Sequence, residues 1–128
     1  MKVDRIDHLV LTVKDINETI QFYSSVMGME KVEFGEGRIA LSFGQQKINL
    51  HQLGKEFEPK AQNVKSGSAD LCFIIDLPVE HALHDLESKG IKVIDGPVQR
   101  TGALGKIKSV YFRDPDGNLI EVSNYENV

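Results

Sequence analysis

An internal repeat constrains the fold of this chain more than any other feature. His8 and Asp70 are 62 positions apart, and the same 62 positions separate Gly28 from Gly90, the glycines that end the two predicted helices. A constant offset that runs through a strand and a helix is typical of a duplicated unit. The element order in each copy is strand, helix, strand, strand, strand. The sequence therefore predicts an α+β fold made of tandem βαβββ modules.

The length of the chain places both copies in a single domain. A chain of 128 residues is the size of one ordinary domain and has no room for separate cofactor and substrate domains. We predict modules at residues 1–53 and 69–128, joined by a linker at 54–68, with a strand at 91–94 and an insertion loop at 97–103. A sheet that carries its helix on one face leaves the other face bare, and two such faces can line a binding cleft.

The composition excludes several classes of partner. The formal charge of −4 and the absence of tryptophan argue against nucleic acid, whose phosphates repel an acidic protein. No apolar segment approaches the roughly 20 residues that span a bilayer, so we expect no membrane partner. The single cysteine, Cys72, cannot form an intramolecular disulfide, and the N-terminus lacks the apolar core of a secretion signal. A cytoplasmic location is predicted.

Several motifs carry a family resemblance. The chain contains DHLVLTV at residues 7–13, KINLH at 47–51, GSADLCF at 67–73 and FRDPDGNLIE at 112–121. Together with the βαβββ duplication, these runs resemble the vicinal oxygen chelate superfamily, which includes glyoxalase I, extradiol dioxygenases and bleomycin-resistance proteins. The second and third runs are most similar to its uncharacterised glyoxalase-domain-containing, virulence-associated group.

The resemblance implies a metal site. In that superfamily a divalent ion is held by inward residues on the first and last strand of each module, which carries over to His8, His51, Asp70 and Glu121. Asp70 stands where a histidine is usual, and His51 is an uncommon residue at its position. Imidazoles and carboxylates together suit one divalent ion, with Ni, Zn, Mn, Co and Fe all possible. Asp70 is either a direct ligand or a partner that orients a ligand histidine.

Further residues are candidates for substrate contact and catalysis. Asn49 precedes His51 by two residues on one strand, so both side chains share a face and Asn49 could position a substrate oxygen. Tyr111 and Arg100 are predicted at the pocket rim, with Arg100 holding a substrate carboxylate or phosphate. The catalytic groups are predicted among the site carboxylates, Glu121 and Asp70, either of which could move a proton.

The predicted function is that of a metal-dependent glyoxalase-like enzyme of the lyase or isomerase type. Its metal would bind two adjacent oxygens of a small-molecule substrate and stabilise the negative charge that develops on them. One alternative is an Fe(II) enzyme that resembles the extradiol dioxygenases. Another is a metal-free binding protein of the bleomycin-resistance type. The fosfomycin-resistance type ranks lower among the enzymes, because its thiol-transfer site requires more cationic residues than this cleft supplies. Each module has exposed sheet edges, and members of the family are commonly homodimers, so we predict a homodimer.

Overall fold

Each half of the chain forms one βαβββ module, which confirms the predicted α+β fold of tandem modules. The computed structural model describes residues 1–126, so the last two residues of the predicted second module lie outside it. The chain divides into a first unit, Met1–Gly67, and a second unit that begins at Ser68. The elements, in chain order, are β1 (His8–Val13), α1 (Ile16–Met27), β2 (Glu30–Phe34), β3 (Arg38–Phe43), β4 (Gln46–Gln52), β5 (Asp70–Ile74), α2 (Val79–Ser88), β6 (Asp95–Gly102), β7 (Gly105–Arg113) and β8 (Leu119–Tyr125).

The first unit is a four-stranded sheet with the strand order β1-β4-β3-β2. Helix α1 begins where the Asp15 carboxylate accepts a hydrogen bond of 3.1 Å from the Glu18 backbone N–H, and it ends at Gly28 with φ of 66°. These are the ordinary start and stop signals of a helix. Alternate strand residues such as Ile48 and Leu50 are buried in the core. The residues between them lie on the opposite sheet face, which we call the bare face of the first unit.

The second unit repeats this plan with the strand order β5-β8-β7-β6. Helix α2 buries Val79 and Leu86, and its first backbone N–H is held by the side chain of Asn124 at 2.8 Å. The DPDGN run forms the turn from β7 to β8, where Asn118 donates from its backbone and its side chain to the Asp114 carboxylate. No helix within residues 1–126 is long and apolar enough to cross a membrane.

The strand boundaries of the second unit differ from the prediction. The predicted strand at 91–94 has no ladder of its own, and β6 instead occupies Asp95–Gly102, most of the predicted insertion loop. The pairing of β6 with β7 shifts register between Asp95 and Val98. This bulge accommodates a glycine and a proline that would otherwise interrupt a strand.

The first and last strands of each module are parallel neighbours, and their registers show which positions are equivalent. Val10 of β1 pairs with Asn49 of β4, and Cys72 of β5 pairs with Glu121 of β8. Since Val10 and Cys72 keep the repeat offset of 62, Asn49 is the counterpart of Glu121. The predicted ligand His51 is instead the counterpart of Ser123.

Candidate functional site

A pocket surrounds Glu121 on the face of the second sheet that carries Cys72 and Tyr111, which we call the bare face of the second unit. The neighbours of Glu121 in the sheet are Cys72 on β5 and Tyr111 on β7. Residues that pair directly in a sheet point to the same face, so these three side chains lie together. The pocket has a volume of about 410 Å³. Its lining consists of Cys72, Ile74, Arg100, Thr101, Gly102, Ala103, Ile107, Tyr111, Glu121 and Tyr125.

Hydroxyl groups hold the Glu121 carboxylate in place. The Ser109 Oγ donates to Glu121 Oε2 at 2.5 Å, and the Ser123 Oγ lies 2.7 Å from the Ser109 Oγ and 3.4 Å from the same carboxylate oxygen. Both serines are fully buried. A short hydrogen bond from a buried donor fixes the orientation of a carboxylate.

Tyr111 lies beside Glu121 and keeps its proton. Burial raises the pKa of Tyr111, and the hydrogen bond to Glu121 raises it further, while Arg100 acts in the opposite direction. The Arg100 Cζ atom is 5.6 Å from the centroid of the Tyr111 ring, and its Nη2 is 3.4 Å from a carboxylate oxygen of Asp95. The pocket therefore contains one carboxylate, the phenols of Tyr111 and Tyr125, and one guanidinium whose charge is partly balanced by Asp95.

Cys72 is the remaining polar neighbour of Glu121. Its Sγ lies 3.4 Å from the Ser123 Oγ. Desolvation raises the pKa of the thiol despite this hydrogen bond, and the nearby Glu121 charge adds to the effect. A protonated thiol is a poor nucleophile, so Cys72 serves as a wall of the pocket.

Asp70 lies on the same sheet face at the beginning of β5. It pairs with Leu119, two register positions from the pairing of Cys72 with Glu121, and it is exposed. Diagonal positions of this kind bring long side chains within reach of each other. The structure therefore places the two predicted carboxylates of the second unit on one face.

The structure does not bring the two predicted histidine ligands together. His8 pairs with Lys47, whereas His51 pairs with Thr12. The four positions between these pairings amount to about 13 Å along the strands. His8 is exposed, and its Nδ1 lies 2.7 Å from the Asp7 carboxylate.

His51 is buried and lies edge-on to the Phe57 ring, with 5.6 Å between ring centroids. Burial lowers the pKa of His51, and the positive charge of Arg38 lowers it further. Across residues 1–126, no three His, Cys, Asp or Glu side chains form a group that could hold a metal ion.

Asn49 occupies the position that the sequence prediction gave to His51. Its Oδ1 is buried and has no hydrogen-bond partner. The sequence predicted Asn49 as a substrate contact and not as the counterpart of Glu121, because the last strand of the first module was aligned two positions too far along. Glu121 pairs with Cys72, Cys72 corresponds to Val10 in the repeat, and Val10 pairs with Asn49. These two pairings are known only from the structure.

Comparison with known proteins identifies the family. Residues 5–122 match the family model described as the Glyoxalase/Bleomycin resistance protein/Dioxygenase superfamily. The chain belongs to this superfamily. Virulence protein STM3117 of Salmonella typhimurium is 58% identical over 98% of this chain and 87% of its own length. Glyoxalase domain-containing protein RDO1 of Mycosarcoma maydis is 55% identical over 99% of this chain and 72% of its own length.

A solved structure agrees with the fold. A protein from the mobile metagenome of V. Pseudocholerae has a TM-score of 0.97 at 64% identity and covers 99% of this chain and 98% of its own. More distant relatives of this chain include the metallothiol transferase FosB of Staphylococcus epidermidis, which is 26% identical over 95% of this chain and 82% of its own length. A lactoylglutathione lyase from Schizosaccharomyces pombe is 27% identical over 95% of this chain and 48% of its own length.

Proposed function

We propose that this protein is a glyoxalase-like enzyme of the lyase or isomerase type, in which Glu121 moves a proton on a small-molecule substrate. The observation that carries the proposal is the Glu121 carboxylate, which faces a pocket of about 410 Å³ while a buried hydroxyl holds one of its oxygens at 2.5 Å. A carboxylate that lines a pocket and is held in one orientation is suited to general acid–base catalysis. The distant relationship to a lactoylglutathione lyase supports the same reaction class.

The reaction is a proton transfer between adjacent carbons. Glu121 takes a proton from the hydroxyl-bearing carbon next to a carbonyl. The electron pair of that C–H bond forms a C=C double bond to the carbonyl carbon, and the carbonyl π pair moves onto the carbonyl oxygen. The Tyr111 hydroxyl, whose single proton is directed at Glu121 in the free protein, can turn that proton toward the carbonyl oxygen as its negative charge develops. Glu121 then returns the proton to the former carbonyl carbon, while the hydroxyl proton passes to the oxygen of that carbon and its O–H electron pair forms the new carbonyl bond. The hydroxyl and carbonyl groups thereby exchange places, and no other reactant is consumed.

We also propose that the enzyme uses one divalent metal ion, which when bound would stabilise the charge on two adjacent substrate oxygens. The donors proposed from the family resemblance are His8, Asp70 and Glu121. Asp70 and Glu121 share one face of the second sheet, and no group of three such donors exists within residues 1–126. The contact of His8 Nδ1 with Asp7 leaves Nε2 available as a ligand, as is usual for metal-binding histidines. His51 does not fit this role, because it is buried against Phe57. The ion is one of Ni, Zn, Mn, Co or Fe.

The substrate class follows from the same chemistry. A substrate with a hydroxyl beside a carbonyl offers two adjacent oxygens and an acidic C–H. The adduct of methylglyoxal with glutathione has this arrangement and is the first probe to test. A homodimer remains the proposed form of the enzyme, since the outer strand β2 is largely exposed and could pair with a second copy. A cytoplasmic location also remains a proposal.

Metal analysis of protein purified without added metal, and again after reconstitution, tests the metal proposal. We expect about one divalent ion per chain in the wild type and its loss in both His8→Ala and Glu121→Gln. The control is Glu87→Gln, which replaces an exposed carboxylate of α2. Full metal content in the two site variants would contradict the donor set. Metal-free protein that binds a drug-like ligand would instead indicate the bleomycin-resistance type, and ring cleavage of a catechol with Fe(II) the dioxygenase type.

A further inference from the structure

We propose that the bare face of the first unit contains a second ligand subsite, which recognises a 2-hydroxycarboxylate group through Arg38 and Asn49. The subsite consists of Arg38, Asn49, His51 and Phe57. It goes beyond the proposed function, because none of these residues takes part in the proton transfer assigned to Glu121.

Arg38 provides the positive charge of this subsite. Its Cζ atom lies 4.5 Å from the centroid of the Phe57 ring. The N–H groups of a guanidinium lie in its own plane. A guanidinium that packs over an aromatic ring can therefore still bind a carboxylate through two parallel hydrogen bonds. Among residues 1–126, no carboxylate forms an ion pair with Arg38.

Arg100, to which the sequence prediction assigned the substrate anion, is in a different situation. Its Nη2 is 3.4 Å from Asp95, and its Nη1 donates to the Gln99 carbonyl at 3.0 Å. Its charge is therefore partly balanced and its donors partly used. Arg38 is the better candidate for an anion because its charge has no such counterpart.

The groups around His51 do not neutralise the positive charge of Arg38. Continuing the ladder of β3 with β4 by one step sets Arg38 opposite His51, whose pKa is lowered by burial and by Arg38. The imidazole is therefore neutral at neutral pH and has an N–H to donate. Glu56 also acts on His51, but its carboxylate accepts from the Gly54 N–H at 2.6 Å and lies 3.6 Å from Lys60.

Asn49 provides an acceptor that lacks a donor. Its Oδ1 is buried without a hydrogen-bond partner, and its neighbours across the ladder are Val10 and Ala40, which have no side-chain donor. A buried acceptor without a partner costs roughly 1–3 kcal/mol. A ligand hydroxyl would satisfy this oxygen, while a neighbouring carboxylate of the same ligand would satisfy Arg38. A 2-hydroxycarboxylate combines both groups.

The probes that test this subsite are L-lactate, which has both groups, and propionate, which lacks the hydroxyl. Both are titrated into ¹⁵N-labelled protein while amide chemical shifts are followed. We expect lactate to bind more tightly than propionate and to shift the signals of Arg38, Asn49 and His51. Shifts confined to Arg100 and Tyr111, or equal affinity for the two probes, would overturn the proposal.

Two arginine variants separate this subsite from the pocket of the second unit. Arg38→Gln should weaken lactate binding about tenfold or more, the effect of losing a charge-assisted hydrogen bond. Its matched control, Arg100→Gln, should bind as the wild type does, and reversal of this order would overturn the proposal. A dispersed spectrum of each variant establishes that it folds. Glu121→Gln should leave lactate binding unchanged, so the subsite and the proposed catalysis can fail independently.

Discussion

At the scale of single residues, Glu121 and Tyr111 influence each other's chemistry. The two residues pair directly across β7 and β8, and the Glu121 carboxylate raises the pKa of Tyr111 beyond the effect of burial. Negative charge beside a phenol disfavours the phenolate. The two groups are thereby kept in opposite roles, with Glu121 as an acceptor of protons and Tyr111 as a donor of hydrogen bonds.

This pairing predicts the effect of replacing Glu121. In Glu121→Gln the pKa of Tyr111 should fall toward its ordinary value of 10.0, because the charge is gone, while burial keeps it somewhat above that value. The titration of the Tyr111 Cζ signal by ¹³C NMR measures this shift. Glu87→Gln serves as the control and should leave Tyr111 unchanged. If the pKa of Tyr111 were the same in Glu121→Gln as in the wild type, the two groups would not interact in solution.

His51 predicts a pH dependence of stability. Burial and Arg38 lower its pKa in the folded chain below the ordinary value of 6.5, whereas the unfolded chain titrates near that value. The unfolded state therefore binds more protons below pH 6.5, and the free energy of unfolding falls as the pH drops through this range. His51→Gln should lose this part of the pH dependence in urea unfolding curves. His84→Gln, at an exposed position of α2, should keep it, and equal profiles for both variants would refute the assignment.

At the scale of elements, β6 depends on a glycine at its bulge. Gly96 has φ of 109°, and a Cβ at this position would lie 2.4 Å from the Ser109 carbonyl oxygen and 2.8 Å from the Val110 Cα. Both atoms belong to the backbone of β7, so neither can move aside cheaply. Because the Ser109 hydroxyl also holds Glu121, strain at this bulge acts on the candidate site.

We therefore expect Gly96→Ala to lower the free energy of unfolding by about 3 kcal/mol. Chemical denaturation measures this change. The matched control is Gly37→Ala, which also has positive φ, at 73°, but has nothing within 4 Å of the added Cβ. It should cost only about 1 kcal/mol. Similar losses for the two variants would show that β7 yields at the bulge.

The elements also show why the sequence predicted some features and not others. Helix α1 was predictable because Asp15 and Gly28 mark its ends locally. Strand β6 was not, because Gly96 and Pro97 indicate a loop unless a bulge absorbs them, and a bulge depends on the neighbouring strand. The sequence also did not reveal, for a similar reason, that Asn49 and not His51 is the counterpart of Glu121. Which residues pair across β1 and β4 depends on turn lengths, and the offset of 62 no longer holds beyond the first helix.

At the scale of the whole molecule, the duplicated fold was predictable, and the chemistry of its two copies was not. One offset through a strand and a helix was enough to indicate two βαβββ modules. The copies have since diverged at equivalent positions, so that the counterpart of the carboxylate Glu121 is the amide Asn49. We infer that the copies took different roles, proton transfer in the second and ligand recognition in the first.

The central claim is that Glu121 is the proton-transferring group of a glyoxalase-like enzyme. The most direct measurement is the turnover of the methylglyoxal–glutathione adduct by wild-type protein reconstituted with Ni, Zn, Mn, Co or Fe(II), compared with Glu121→Gln treated in the same way. We predict turnover with at least one metal and a fall in kcat of about 100-fold or more in the variant, the usual effect of losing a general base. No turnover with any of the metals, or equal turnover by the variant, would contradict the claim.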